Sequence, residues 1–211
     1  MRRSRTPPPG LLLLGGLLAG AGFAAAASAV DGKALYIACA PCHGPHGEGV
    51  PATGAPNIAG MGAWYVDREL KAFASGARGR QPGDTFGATM AAAVSGPMPD
   101  GDRAALAATV AALPAVRAAA TAPTDNGRNY FNALCSACHG ANGHGNETLG
   151  APGLAGLTPA FLARQIAAFR TGQRGAQAGD RLGAQMRALS AMLPDARTEQ
   201  DVVNYAAGLA P

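Results

Sequence analysis

The chain has 211 residues, 48% of them hydrophobic, 14% charged and only 5% aromatic, with a formal net charge of +4. That length suits one large or two small domains, and the Lys and Arg residues do not cluster as a nucleic-acid-binding face requires. Arg2, Arg3 and Arg5 supply three of the 17 basic residues, so the rest of the chain sets 14 basic side chains against 13 acidic ones.

Those three arginines are followed by an apolar run from Leu11 to Leu18 and by small residues ending Ala27-Ser28-Ala29. This is the order of a secretory signal peptide, expected to span 1–29 with cleavage after Ala29. The apolar run is short for a membrane span, and nothing later is long and apolar enough to be one. An uncleaved N-terminal anchor is the alternative. The expected location is the periplasm, an assignment compatible with association at the membrane surface.

A short helix is predicted over Lys33 to Cys39, leading into Cys39-Ala40-Pro41-Cys42-His43. A second helix carries Tyr65, Leu70 and Phe73 at helical steps. A third is predicted to start at an Asp102 cap and to present Leu106, Val110 and Leu113. The first domain is placed at 30–115, followed by a linker at 116–125 within an Ala-, Pro- and Thr-rich stretch. The second domain, 126–211, repeats the order. A helix runs from Arg128 to Cys135, another opens at Thr158-Pro159 and carries Phe161, Ile166 and Phe169, and a last one is capped by Thr198. Gly-rich loops join these helices, and no strand alternation stands out. The fold class expected is all-α, with two tandem domains. Domains this small and this poor in aromatics bury little, and a buried cofactor would supply the missing apolar volume.

The two halves align at one offset of 96 residues, without a gap, from Cys39 to Met90. Cys39, Cys42 and His43 fall on Cys135, Cys138 and His139; Ala55-Pro56 falls on Ala151-Pro152; Arg68, Phe73, Gly76 and Arg78 fall on Arg164, Phe169, Gly172 and Arg174. Gly83-Asp84 and Met90 fall on Gly179-Asp180 and Met186. Long similarity at a fixed offset marks two copies of one unit.

Cys39 and Cys42 are spaced to bond the two vinyl groups of one haem, and His43 directly after them can reach the iron from one side; Cys135, Cys138 and His139 repeat the pattern. Two covalent haem c groups follow. A zinc site would need a further donor in each half, and a thioredoxin-like redox pair would need an α/β setting. The second axial ligand must approach from the far face. Met is the usual partner of His in electron-transfer cytochromes, and Met90 and Met186 each lie 47 residues after their histidine. His43, Met90, His139 and Met186 are therefore the expected iron ligands. Met98, in a Met-Pro step, competes with Met90 although the last helix begins almost at once after it, and Met192 has the same problem in the second half; Met61 reads as packing, and His46 and His144 as loop residues. Arg78, Arg80, Arg174 and Arg181 are candidates to pair with haem propionates, and Trp64 and Tyr65 could pack near a haem.

On these motifs, together with Pro56-Asn57-Ile58-Ala59-Gly60 and the helix from Tyr65 to Gly76, the chain resembles the di-haem cytochrome c4 family over nearly all of its mature length. The resemblance implies two class I cytochrome c domains related by a pseudo-twofold axis, and a periplasmic carrier between quinol-oxidising complexes and terminal oxidases. The departure from the pattern is Met98 in Gly96-Pro97-Met98-Pro99. With both irons six-coordinate, a carrier is expected and not an enzyme. The alternatives are a cytochrome subunit of a dehydrogenase and a di-haem peroxidase-type enzyme. The expected partners are redox proteins: a quinol-oxidising complex or dehydrogenase as donor and a terminal oxidase as acceptor.

Overall fold

The computed structural model describes residues 30–117, 119 and 122–211; the expected signal peptide, 1–29, lies outside them. The described residues form helices and loops with no sheet. The extended pairings among them are two isolated bridges, Val50 with Ala55 and Asn146 with Ala151, which are the same turn 96 residues apart.

In the first half, helix α1 (Gly32–Tyr36) leads to α2 (Ala40–His43), then α3 (Ala63–Ser75), α4 (Thr85–Ala93) and α5 (Asp100–Ala112). In the second half, α6 (Asp125–Tyr130) passes through one π turn (Phe131–Cys135) into α7 (Ser136–His139), then α8 (Pro159–Arg170), α9 (Arg181–Ser190) and α10 (Ala196–Gly208). The first and last helices of each half pack together, α1 on α5 and α6 on α10. The crossing is close because Gly32 and Gly127 have no side chain. A Cβ there would sit 2.3 Å from the carbonyl oxygen of Ala105 and 2.2 Å from that of Asp201. Leu106 and Val110 of α5 are 2% exposed, and Val202 and Val203 of α10 are 3% and 1% exposed, so these helices carry the cores.

Four boundaries differ from the sequence reading. The helix expected at Lys33 to Cys39 stops at Tyr36 and restarts at Ala40, where Pro41 suits a first turn. The second attachment helix starts at Asp125, not Arg128, because the Thr124 hydroxyl accepts from Gly127 N–H. The closing helices start earlier as well: α5 after Pro99, and α10 after Asp195, whose carboxylate accepts from Thr198 N–H. Thr198 is thus the third helical residue and not the cap. The Thr158-Pro159 start of α8 is as read, with the Thr158 hydroxyl accepting from Phe161 N–H.

The larger difference is a fourth helix in each half, α4 and α9, where loop was expected. Both are capped by an aspartate, Asp84 accepting from Gly87 N–H and Asp180 from Gly183 N–H. Gly79 and Gly175 take left-handed φ of 78° and 75°, and a Cβ on either would lie 2.2 Å from the carbonyl oxygen of Gly87 or Gly183. Only glycine allows that approach, and it seats the methionine-bearing helix against the turn that carries Arg78 or Arg174.

Candidate functional site

Each cysteine pair and its histidine sit on one short helix turn, which puts the three side chains on one side of the backbone. His43 and His139 are buried, 8% and 4% exposed. His43 Nδ1 donates to the carbonyl of Pro56 at 2.9 Å, and His139 Nδ1 to that of Pro152 at 2.8 Å. A proton fixed on Nδ1 leaves the Nε2 lone pair free, the arrangement by which an outer partner orients a metal-ligating imidazole. Burial lowers both imidazole pKa values, outweighing the opposing effect of the proline carbonyls, so both rings are neutral. Sequence reasoning missed the role of Pro56 and Pro152, although their alignment at the 96-residue offset was a signal of it.

No disulfide joins Cys39 to Cys42 or Cys135 to Cys138, so both pairs are available for thioether bonds to a haem. Burial pushes the Cys39 thiol up and the Cys135 thiol up to about 11, with Cys42 and Cys138 adding to each rise. Among the described residues no three His, Cys, Asp or Glu side chains converge as donors for a bare metal ion.

A cavity of about 630 Å³ opens over the second site, within the roughly 300–1,000 Å³ typical of cofactor pockets. Cys135, Cys138 and His139 line it together with Met186 and Leu189 of α9, and Phe131, Leu162, Phe169, Leu193 and Val202 add apolar lining. In the first half Cys39, Met90 and Met98 pack on the core formed by Tyr36, Leu70, Leu106 and Val110. Met90 and Met186 are each the sixth residue of their helices, α4 and α9. Met98 lies between α4 and α5, where its carbonyl accepts from Arg103 at 3.2 Å. Met192 is 59% exposed, and Met61 packs against both cores.

The cavity also has a wall from the first half: Tyr65, Arg68, Glu69 and Arg78. Arg78 and Arg174 are engaged in an interdomain cluster with Glu69 and Gln165. Arg78 Nε is nevertheless buried with no hydrogen-bond partner among the described residues, a donor suited to a haem propionate. Arg181 lines the cavity from an exposed position, and Arg80 is exposed. Trp64 stands at the start of α3 beside Tyr65, their ring centroids 5.7 Å apart. His46 and His144 are exposed loop residues, His144 bonding the carbonyl of Ala210 at 2.9 Å.

Paired cysteines beside a neutral buried histidine, twice, with a methionine in the same apolar enclosure, define a di-haem c-type electron-transfer protein. The family described as cytochrome c matches the chain twice, over residues 29–113 and 124–207. The chain belongs to the cytochrome c family, within the two-haem cytochrome c4 group. It is 35% identical over 190 residues to a thiosulfate dehydrogenase electron acceptor of Stutzerimonas stutzeri, covering 78% of this chain and 82% of that protein. It is 31% identical over 160 residues to cytochrome c4 of Stutzerimonas stutzeri, covering 71% and 76%. The crystal structure of reduced cytochrome c4 from Pseudomonas stutzeri superposes with a TM-score of 0.69 at 28% identity, covering 86% of this chain and 98% of that one. The all-α fold of two tandem cytochrome c domains, and two covalent haem c groups, are as the sequence reading has them.

Proposed function

We propose that this chain is a periplasmic electron carrier that accepts electrons from a dehydrogenase and delivers them to a terminal oxidase. Each haem, when bound, supplies one iron that cycles between ferric and ferrous. The protein's part is to hold that iron with His43 and Met90 in the first domain and His139 and Met186 in the second. The observation that supports the reading is the second cavity, whose lining brings both His139 and Met186 together with the apolar side chains Phe131, Leu162, Phe169 and Leu193. Filling both axial positions leaves no open site for substrate, so the chain turns over nothing by itself. The signal peptide at 1–29 and the domains at 30–115 and 126–211 belong to this reading.

For the donor, the similarity to thiosulfate dehydrogenase electron acceptors favours a sulfur-compound dehydrogenase over a quinol-oxidising complex. The test is reduction of the purified oxidised protein by a thiosulfate dehydrogenase with thiosulfate, followed at the haem absorption band. Reduction within turnover time, then reoxidation by membranes containing a terminal oxidase, is the expected result. No reduction by that enzyme together with fast reduction by a quinol-oxidising complex would replace the donor.

A further inference from the structure

The contact between the domains is two-fold in geometry but not in charge. Arg78 and Arg174 occupy the same place in the repeat, and each stacks on a phenylalanine of its own domain, Phe73 at 4.4 Å and Phe169 at 4.5 Å. Each guanidinium bridges the same two residues of α3 and α8. Arg78 pairs with Glu69 and donates to Gln165 Oε1 at 2.8 Å; Arg174 donates to Gln165 Oε1 at 2.5 Å and to Glu69 Oε2 at 3.3 Å. Residues 69 and 165 are also 96 apart, so the symmetric partner of a carboxylate is a neutral amide.

This cluster is largely out of solvent: the side chains of Arg78, Glu69 and Arg174 are 13%, 15% and 14% exposed. Burial works against the charge on Glu69, but Arg78, Arg174 and Arg68 outweigh it and hold the carboxyl below its ordinary pKa. All four side chains line the cavity that holds Cys135, Cys138, His139 and Met186. Beside its three arginine neighbours, Glu69 therefore adds a carboxylate to the wall of the second domain's haem cavity, at the repeat position where the second domain has the neutral Gln165. Charges act more strongly in a weakly screened interior than in water.

We propose that Glu69 makes the two haems electrically unequal, lowering the potential of the second-domain haem relative to a contact with Gln at both positions. Reduction adds one electron, so a carboxylate in the cavity wall favours the ferric form there. Arg78 and Arg174 hold the carboxylate in place. The proposal rests on the two-haem reading.

The test compares both midpoint potentials in the full di-haem protein for the wild type, for Glu69→Gln, and for the exchange variant Glu69→Gln with Gln165→Glu. The exchange variant keeps one carboxylate and two guanidiniums, so it tests the idea even if the single variant folds poorly. The potential of one haem minus that of the other should move in one direction from wild type through Glu69→Gln to the exchange variant. The first step is expected to change the one-electron equilibrium between the haems about three- to tenfold, tenfold corresponding to about 59 mV. Equal separations in the wild type and the exchange variant, with two haems bound in each, would overturn the proposal. Fewer than two covalent haems in the wild type would instead remove the reading beneath it.

Discussion

Arg68 of the first domain donates from Nη1 to the carbonyl of Gly150 in the second, 2.9 Å away. Its repeat partner does the reverse: Arg164 donates from Nη2 to the carbonyl of Gly54 at 2.6 Å. Each arginine also lies over an aromatic ring, Arg68 over Trp64 at 5.0 Å and Arg164 over Phe86 at 4.4 Å. The two contacts are the same contact related by the internal two-fold, and they cross between domains in both directions.

Because the two interdomain hydrogen bonds are equivalent, Arg68→Ala and Arg164→Ala should each destabilise the protein, Arg68→Ala somewhat more because Arg68 also lies 3.9 Å from the Glu69 carboxylate. A hydrogen bond from a charged donor contributes about 1.5–3 kcal/mol, and partial exposure of both places the expected loss near 1–2 kcal/mol each. Urea titration of the di-haem protein, followed by circular dichroism, measures it. A large loss for one variant and none for the other would show that the two contacts are not equivalent.

The Glu69 cluster gives a pH dependence with a definite sign. The folded pKa of Glu69 is depressed, so its stabilising contribution is complete above the ordinary carboxylate value of about 4.5. It is lost progressively as pH falls from there through the folded value. The wild type should therefore lose stability in that acid range by more than Glu69→Gln does. Denaturant midpoints collected from pH 7 down to pH 3 for both proteins compare them, and parallel curves would refute the claim.

The haem-attachment residues were legible in the sequence because their chemistry requires neighbours: two thioether bonds and an iron ligand must come from Cys39, Cys42 and His43 within five positions. The repeat was legible because one offset aligns those residues with the Arg and Met positions. Helix α4 was not read as a helix because its turns are rich in Gly and Ala and show little apolar periodicity; α9 does carry an apolar face, which the sequence reading passed over. The local signal common to both was the aspartate after a glycine, Asp84 and Asp180, which caps each helix. The Glu69–Arg78–Arg174–Gln165 cluster was invisible for a different reason. Its members meet only when two domains dock, and no pattern within one domain encodes that.

Haem stoichiometry is the direct check on attachment. The denatured protein should keep two haems through acid-acetone extraction, and replacement of Cys135 and Cys138 by Ala should leave one. Pyridine haemochrome spectra give the count, and free extraction of haem from the wild type would contradict the thioether bonds.

For the axial methionines, Met90→Ala and Met186→Ala should each lower one midpoint potential and weaken the near-infrared charge-transfer band of the oxidised protein, since a Met ligand raises potential. Met98→Ala should leave the band intact, because Met98 lies between helices and Met90 shares the helical position of Met186. Loss of the band in Met98→Ala, with a normal band in Met90→Ala, would transfer the ligand to Met98.

The prediction that separates a carrier from an enzyme follows from coordination. With Met90 and Met186 in the sixth positions, the reduced protein should bind carbon monoxide slowly and incompletely at neutral pH, and should show little peroxidase activity. Electron exchange needs only close approach of a partner to a haem edge, and encounters of that kind bury little area and are short-lived. The near balance of 14 basic and 13 acidic residues beyond the first five positions leaves little net charge to steer by. Salt dependence must then arise from local patches acting within a Debye length of about 8–10 Å. Electron transfer to an oxidase should accordingly be fast and modestly salt-sensitive, without a stable complex on size-exclusion chromatography. Rapid, stoichiometric carbon monoxide binding to either haem would point to an open iron and an enzymatic role. Tight co-purification with a dehydrogenase, with no exchange with a free oxidase, would mark the chain as a resident subunit, because a permanent partner would cover the edge that a carrier must leave free.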